Sequence, residues 1–127
     1  MPKPKLPRPT DFEVSILRVL WKRGPSTVRE VQEEIGRETG YTTVLKMMQL
    51  MAEKGLVTRD EKARTHIYKA TRPAEETQRH LIRDLVDRAF NGSPMKLIMQ
   101  ALSAKKTSPT ELAELREMID EVERRNK

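Results

Sequence analysis

At three places a hydroxyl side chain, followed three positions later by glutamate, stands before a helical apolar stripe: Thr10 and Glu13, Thr27 and Glu30, Ser108 and Glu111. Each pair has the form of a capping box, in which the hydroxyl accepts from the third helical amide and the carboxylate reaches back to the cap amide. Behind each box, apolar residues recur at spacings of three and four. Phe12, Ile16, Leu17, Leu20 and Trp21 predict a first helix running to about Lys22 and stopped by Gly24-Pro25. Val28, Val31 and Ile35 predict a short second helix, closed near Gly36. A third is expected from about Thr42 to Glu53, with Val44, Met47, Met48 and Met51 buried and Lys54-Gly55 ending it.

The period changes once. Leu56-Val57-Thr58-Arg59 and His66-Ile67-Tyr68-Lys69 are β-like segments flanking the polar Asp60-Glu61-Lys62-Ala63-Arg64. They predict a hairpin whose loop is longer than the tight two-residue types. Three helices and a hairpin describe a winged helix-turn-helix over residues 10–72. Pro73 then breaks the chain. Beyond it come Leu81, Ile82, Leu85, Val86 and Phe90 on one helix, and Met95, Leu97, Ile98 and Leu102 on the next. Leu112, Leu115, Met118, Ile119 and Val122 form the stripe of the last. A helical segment this short buries too little by itself, so residues 73–127 are expected to form a helical dimerisation domain. The predicted fold class is therefore mainly α: a winged helix-turn-helix DNA-binding domain plus a C-terminal three-helix dimerisation domain. The proline-rich, basic residues 1–9 are expected to be a flexible arm.

Charge divides along the same line. Residues 1–72 hold 15 basic and 9 acidic side chains, whereas residues 73–127 hold 10 of each. The net charge of +6 thus belongs to the first half, the composition of a surface that meets nucleic acid. The absence of cysteine excludes disulfides and thiolate metal sites and fits a reducing compartment such as the cytoplasm. Two histidines far apart in sequence give no metal cluster, and no apolar run is long enough for membrane insertion. No cofactor, metal or small-molecule ligand is expected. Asp11 with Glu13, and Glu33 with Glu34, are the available acid pairs. Capping and solvation account for both, and no nucleophile stands beside a base, so the chain is not expected to be an enzyme.

Turning the third helix by 100° per residue, with Val44, Met48 and Met51 inward, leaves Thr42, Lys46 and Gln49 outward. Thr43 and Leu50 fall toward the flank. Thr42, Thr43, Lys46 and Gln49 are the candidates for reading base edges of double-stranded DNA, and Tyr41 for a phosphate bond. On a plainer reading, Thr42 is a helix cap and Lys46 a solvated lysine. The wing offers Arg59, Lys62, Arg64 and His66 to the DNA backbone, and the arm adds Lys3, Lys5 and Arg8. One such module reads few base pairs, so two copies on a palindrome are expected. The interface candidates are Leu81, Leu85, Phe90, Leu97, Ile98, Leu115, Ile119 and Val122.

These residues, in this order, resemble the penicillinase repressor family, which includes methicillin-resistance regulators and copper-responsive repressors. The resemblance runs from about Thr10 to Glu123. It is carried by Glu13-Val14, Val19-Leu20-Trp21, Thr27-Val28-Arg29-Glu30-Val31 and Tyr41-Thr42-Thr43-Val44, then Lys54-Gly55-Leu56-Val57, Arg64 and Tyr68. Phe90-Asn91-Gly92-Ser93 and Leu112-Ala113-Glu114-Leu115 continue it. It implies a bacterial homodimeric repressor on a palindromic operator of a resistance operon. Release would follow when a membrane sensor-protease, acting indirectly, leads to cleavage in the dimerisation domain. Familiar members carry arginine where this chain has Leu50, threonine where it has Lys46, and commonly a polar residue at Leu45. Where staphylococcal relatives carry an Asn-Phe cleavage site, this chain has Gln100-Ala101. Without cysteine it lacks the ligands of the copper-responsive branch. The alternatives are a repressor of the same family serving a non-β-lactam operon, and an architectural DNA-binding protein without sequence preference.

Overall fold

The computed structural model describes residues 9–62 and 64–127. Apart from Pro9, the arm expected over residues 1–9 lies outside them, as do its Lys3, Lys5 and Arg8. The elements in chain order are α1 (Asp11–Arg23), α2 (Val28–Ile35), α3 (Tyr41–Lys54), β1 (Val57–Asp60), β2 (Ile67–Ala70), α4 (Ala74–Ala89), α5 (Pro94–Ala104) and α6 (Pro109–Arg125). This is the mainly helical winged helix-turn-helix that the period predicted, followed by three further helices.

All three capping boxes close with both of their hydrogen bonds, at the starts of α1, α2 and α6. Ser93 caps α5, with Pro94 at its first position. The third helix starts one residue earlier than expected, and its N-cap is Gly40. Thr42 lies within the helix, which corrects the plainer reading of it as a cap.

Val44, Met48 and Met51 of α3, Ile16, Leu17 and Leu20 of α1, and Val28 and Val31 of α2 share one core with Leu56, Val57 and Tyr68. The two strands pair antiparallel, with Val57 opposite Ala70 and Arg59 opposite Tyr68. Leu56 falls outside β1, where the sequence suggested a strand residue. Gly55 ends α3 in the left-handed region at φ +81°, and the Leu56 amide still bonds back to the Met51 carbonyl at 2.9 Å. Leu56 therefore belongs to the helix cap, and pairing begins at Val57. His66 likewise precedes β2. A third short edge comes from Ser26, whose amide and carbonyl both bond to Tyr68, at 2.9 and 2.8 Å.

Trp21 Nε1 donates to the Arg72 carbonyl at 3.0 Å, tying the exit of the hairpin to α1. The chain forms two compact units, dividing between Arg83 and Asp84, inside the helix that follows Pro73. In the second unit Val86 is buried, but α5 and α6 contain no buried residue.

Candidate nucleic-acid interface

The inner face of α3 is fixed by Val44, Met48 and Met51, each fully buried. Their spacing of four and three sets the rotation of the helix, so the opposite face must present whatever lies between them. Thr42, Thr43, Lys46 and Gln49 are all exposed, as the 100° rotation requires. Leu50, on the flank of the same face, is also exposed, while Leu45 and Met47 are half-buried against the core. The exposed face therefore offers two hydroxyls, an amide and an ammonium. These groups suit the base edges of a major groove, and Leu50 adds apolar surface for a thymine methyl.

The start of α3 is open. Gly40 has no side chain to cap the first-turn amides, so the helix presents them with the positive end of its dipole. Tyr41, the first helical residue, is exposed, and the Arg29 guanidinium lies 5.2 Å from the centre of its ring. A cleft of about 280 Å³ beside it is lined by Val28, Tyr41, Leu45, Arg64, Thr65, His66 and Tyr68. The structure thus brings Tyr41 of α3 and Arg64 and His66 of the wing to one cleft.

Arg59 and Lys62 line a different groove, with Pro25, Thr58, Asp60, Glu61, Ile67 and Lys69. Arg59 stands directly across from Tyr68 and is ion-paired with Glu61. The Tyr68 hydroxyl and the Glu61 carboxylate both push its guanidinium above the ordinary arginine value. The charge on Arg59 is secure, and the exposed Glu61 carboxylate competes with any other anion for its guanidinium. The amide of Lys62 donates to Asp60 Oδ1 at 2.9 Å, shaping the turn, and its side chain is exposed.

Of the interface candidates, Leu81, Phe90, Leu97 and Leu115 are half-buried within the single chain. Leu85, Ile98, Ile119 and Val122 are exposed, Ile119 to 60%. Ile82, Met95, Met99, Leu102 and Met118 are equally exposed and were not among the candidates. Gln100 and Ala101 are exposed within α5.

Sequence reasoning also missed Arg29 as part of this surface. Its signals were its place in the first turn of α2 and in the Thr27-Val28-Arg29-Glu30-Val31 motif, but its approach to Tyr41 depends on how α2 and α3 pack. Among the described residues, no three histidine, aspartate or glutamate side chains gather to hold a metal ion. No described helix is long and apolar enough to cross a membrane.

Residues 9–121 match the family described as penicillinase repressor. A penicillinase repressor from Bacillus licheniformis is 22% identical over 125 residues, 97% of this chain and 98% of the relative. A transcriptional regulator BlaI, present in two strains of Mycobacterium tuberculosis, is 35% identical over 88 residues, covering 67% of this chain and 64% of that protein. The family match spans nearly all of the helix-turn-helix, the wing and the helices behind it, and the chain belongs to the penicillinase repressor family of transcriptional repressors.

Proposed function

We propose that the chain is a homodimeric repressor that binds a palindromic operator, with Thr42, Thr43, Lys46 and Gln49 on base edges. Tyr41, Arg59, Lys62 and Arg64 hold the backbone. The observation that carries this reading is the exposed polar face of α3, set opposite a fully buried Val44, Met48 and Met51 and flanked by a basic wing. Phosphate contacts supply affinity and orientation, while the α3 side chains supply choice. The family to which the chain belongs and the names of its relatives support DNA as the partner.

Dimerisation is supported by the second unit. Two helices without a single buried residue leave Ile98, Ile119 and Val122 in water. Covering such side chains is worth roughly 25 cal/mol per Å² of apolar area removed from water. A second copy supplies that cover and couples two half-site contacts through one effective concentration. Loss of the second unit would then release DNA, which fits a cytoplasmic repressor of a β-lactam resistance operon controlled indirectly by a membrane sensor-protease. Gln100 and Ala101 lie on an exposed helix, so a protease reaches the bond only after that turn of α5 opens. The Gln-Ala pair itself favours a second reading, a repressor of a non-β-lactam operon released by another route.

The test is enrichment of bound sequences from a pool of random duplexes. The reading predicts a two-fold symmetric consensus. Recovery of unenriched sequence, with binding that simply weakens as salt rises, would leave an architectural protein instead.

A further inference from the structure

Five arginines of the described chain are spoken for by carboxylates: Arg23, Arg59, Arg72, Arg88 and Arg124. Arg29 is different. Its described contact is with an aromatic face, and the ring it sits over belongs to the first residue of the recognition helix. Arg29 is itself exposed, one residue past the buried Val28 that anchors the start of α2. A guanidinium attracted to a tyrosine ring spends none of its N–H donors on a carboxylate, so they stay available to an acceptor, while its long side chain loses some rotamer freedom before any ligand arrives. The cleft with Arg64 and His66 adjoins the same ring.

We infer that Arg29, seated on Tyr41, is a backbone-phosphate contact of the DNA surface, and that the Tyr41 ring is the platform that positions it. The ligand is the phosphodiester of duplex DNA. This assignment rests on the DNA-binding reading above but not on sequence choice. It makes Tyr41 more than a hydroxyl donor: its ring couples α2 to the N-terminal end of α3 at the point where the backbone enters the groove. A bidentate guanidinium held in this way fixes the register of α3 as well as adding attraction.

The test uses the full chain and two labelled duplexes, one enriched by the wild type from a random pool and one of unrelated sequence. Affinity is measured between about 50 and 200 mM salt. Arg29→Ala is expected to weaken both duplexes alike, by about five- to tenfold, and to reduce the log–log salt slope by about 0.9 per copy. Arg29→Lys keeps the charge but not the planar fork, and falls between. The platform is tested by a double-mutant cycle. In a Tyr41→Phe background, which keeps the ring, Arg29→Ala costs what it costs in the wild type. In a Tyr41→Leu background it costs less than twofold, with thermal unfolding used to check that this variant folds. An unchanged salt slope for Arg29→Ala would overturn the phosphate contact. A full Arg29 cost without the ring, or loss of that cost in the Tyr41→Phe background, would overturn the platform. If the wild type enriched no sequence while Arg29→Ala still lowered the slope on unrelated DNA, the repressor reading would fail and the Arg29 contact would stand.

Discussion

Glu13 shows how much one side chain can carry in a small core. It is fully buried, its Oε1 accepts from the Thr10 amide at 2.9 Å, and its Oε2 meets Lys54 Nζ at 2.9 Å. It therefore caps α1 and ties the start of that helix to the end of α3. Burial alone would raise its pKa, but the Thr10 bonds and the Lys54 charge outweigh that and hold it below the ordinary 4.5. The Thr27 backbone bond, with Arg23 nearby, lowers Glu30 in the same direction despite some desolvation. A lowered folded pKa contributes stability that is present above the unfolded value and is lost as pH falls through the folded one. Glu13→Gln is accordingly expected to lose about 1–2 kcal/mol at pH 7, a difference that shrinks in acid. Thermal unfolding at neutral and acid pH measures this, and an equal loss at both would refute it. On the DNA side, Lys46→Ala and Gln49→Ala should lower discrimination between preferred and unrelated duplex, each by about 1–3 kcal/mol. Arg64→Ala should weaken both duplexes alike. A Lys46→Ala chain with its preference intact would show that the reading face is misplaced.

Among the elements, what could be read from sequence was what repeats locally. Capping boxes join residues three apart, so Thr10, Thr27 and Ser108 marked their helices without knowledge of any neighbour. Which face of α3 is exposed was legible for the same reason, because Val44, Met48 and Met51 fix a rotation. The hairpin was legible in place but not in register, because the left-handed cap at Gly55 extends the helix bonding to Leu56. Nothing lies within 4 Å of a side chain added at Gly55, so Gly55→Ala meets only the backbone penalty. It should cost about 1–2 kcal/mol, seen as a lower unfolding midpoint, and no change would mean that the cap relaxes freely. Contacts between elements were not legible. Ser26 on the edge of β2 and Arg29 over Tyr41 both depend on how separate helices and turns pack, which periodicity does not encode. Among the exposed apolar residues of α5 and α6, the sequence named Ile98 but passed over Met99, because a stripe gives a face and not its width.

Taken as one particle, the chain divides its work as it divides its charge. The net +6 lies in residues 1–72, with α3 and the wing, while the neutral remainder carries the exposed apolar stripes. If those stripes pair two copies, a charge on one of them should separate the dimer without unfolding the helix-turn-helix. Ile119→Lys is expected to give a monomeric mass by sedimentation at micromolar concentration. It should also weaken binding to a palindrome far more than to a single half-site, and a dimeric mass would remove Ile119 from the interface. The most direct measurement is hydroxyl-radical protection of the enriched duplex by the wild-type chain. The proposed dimer predicts two protected half-sites related by two-fold symmetry, with centres separated by about one or two helical turns. Protection that is uniform along the duplex and equal on unrelated DNA would contradict it.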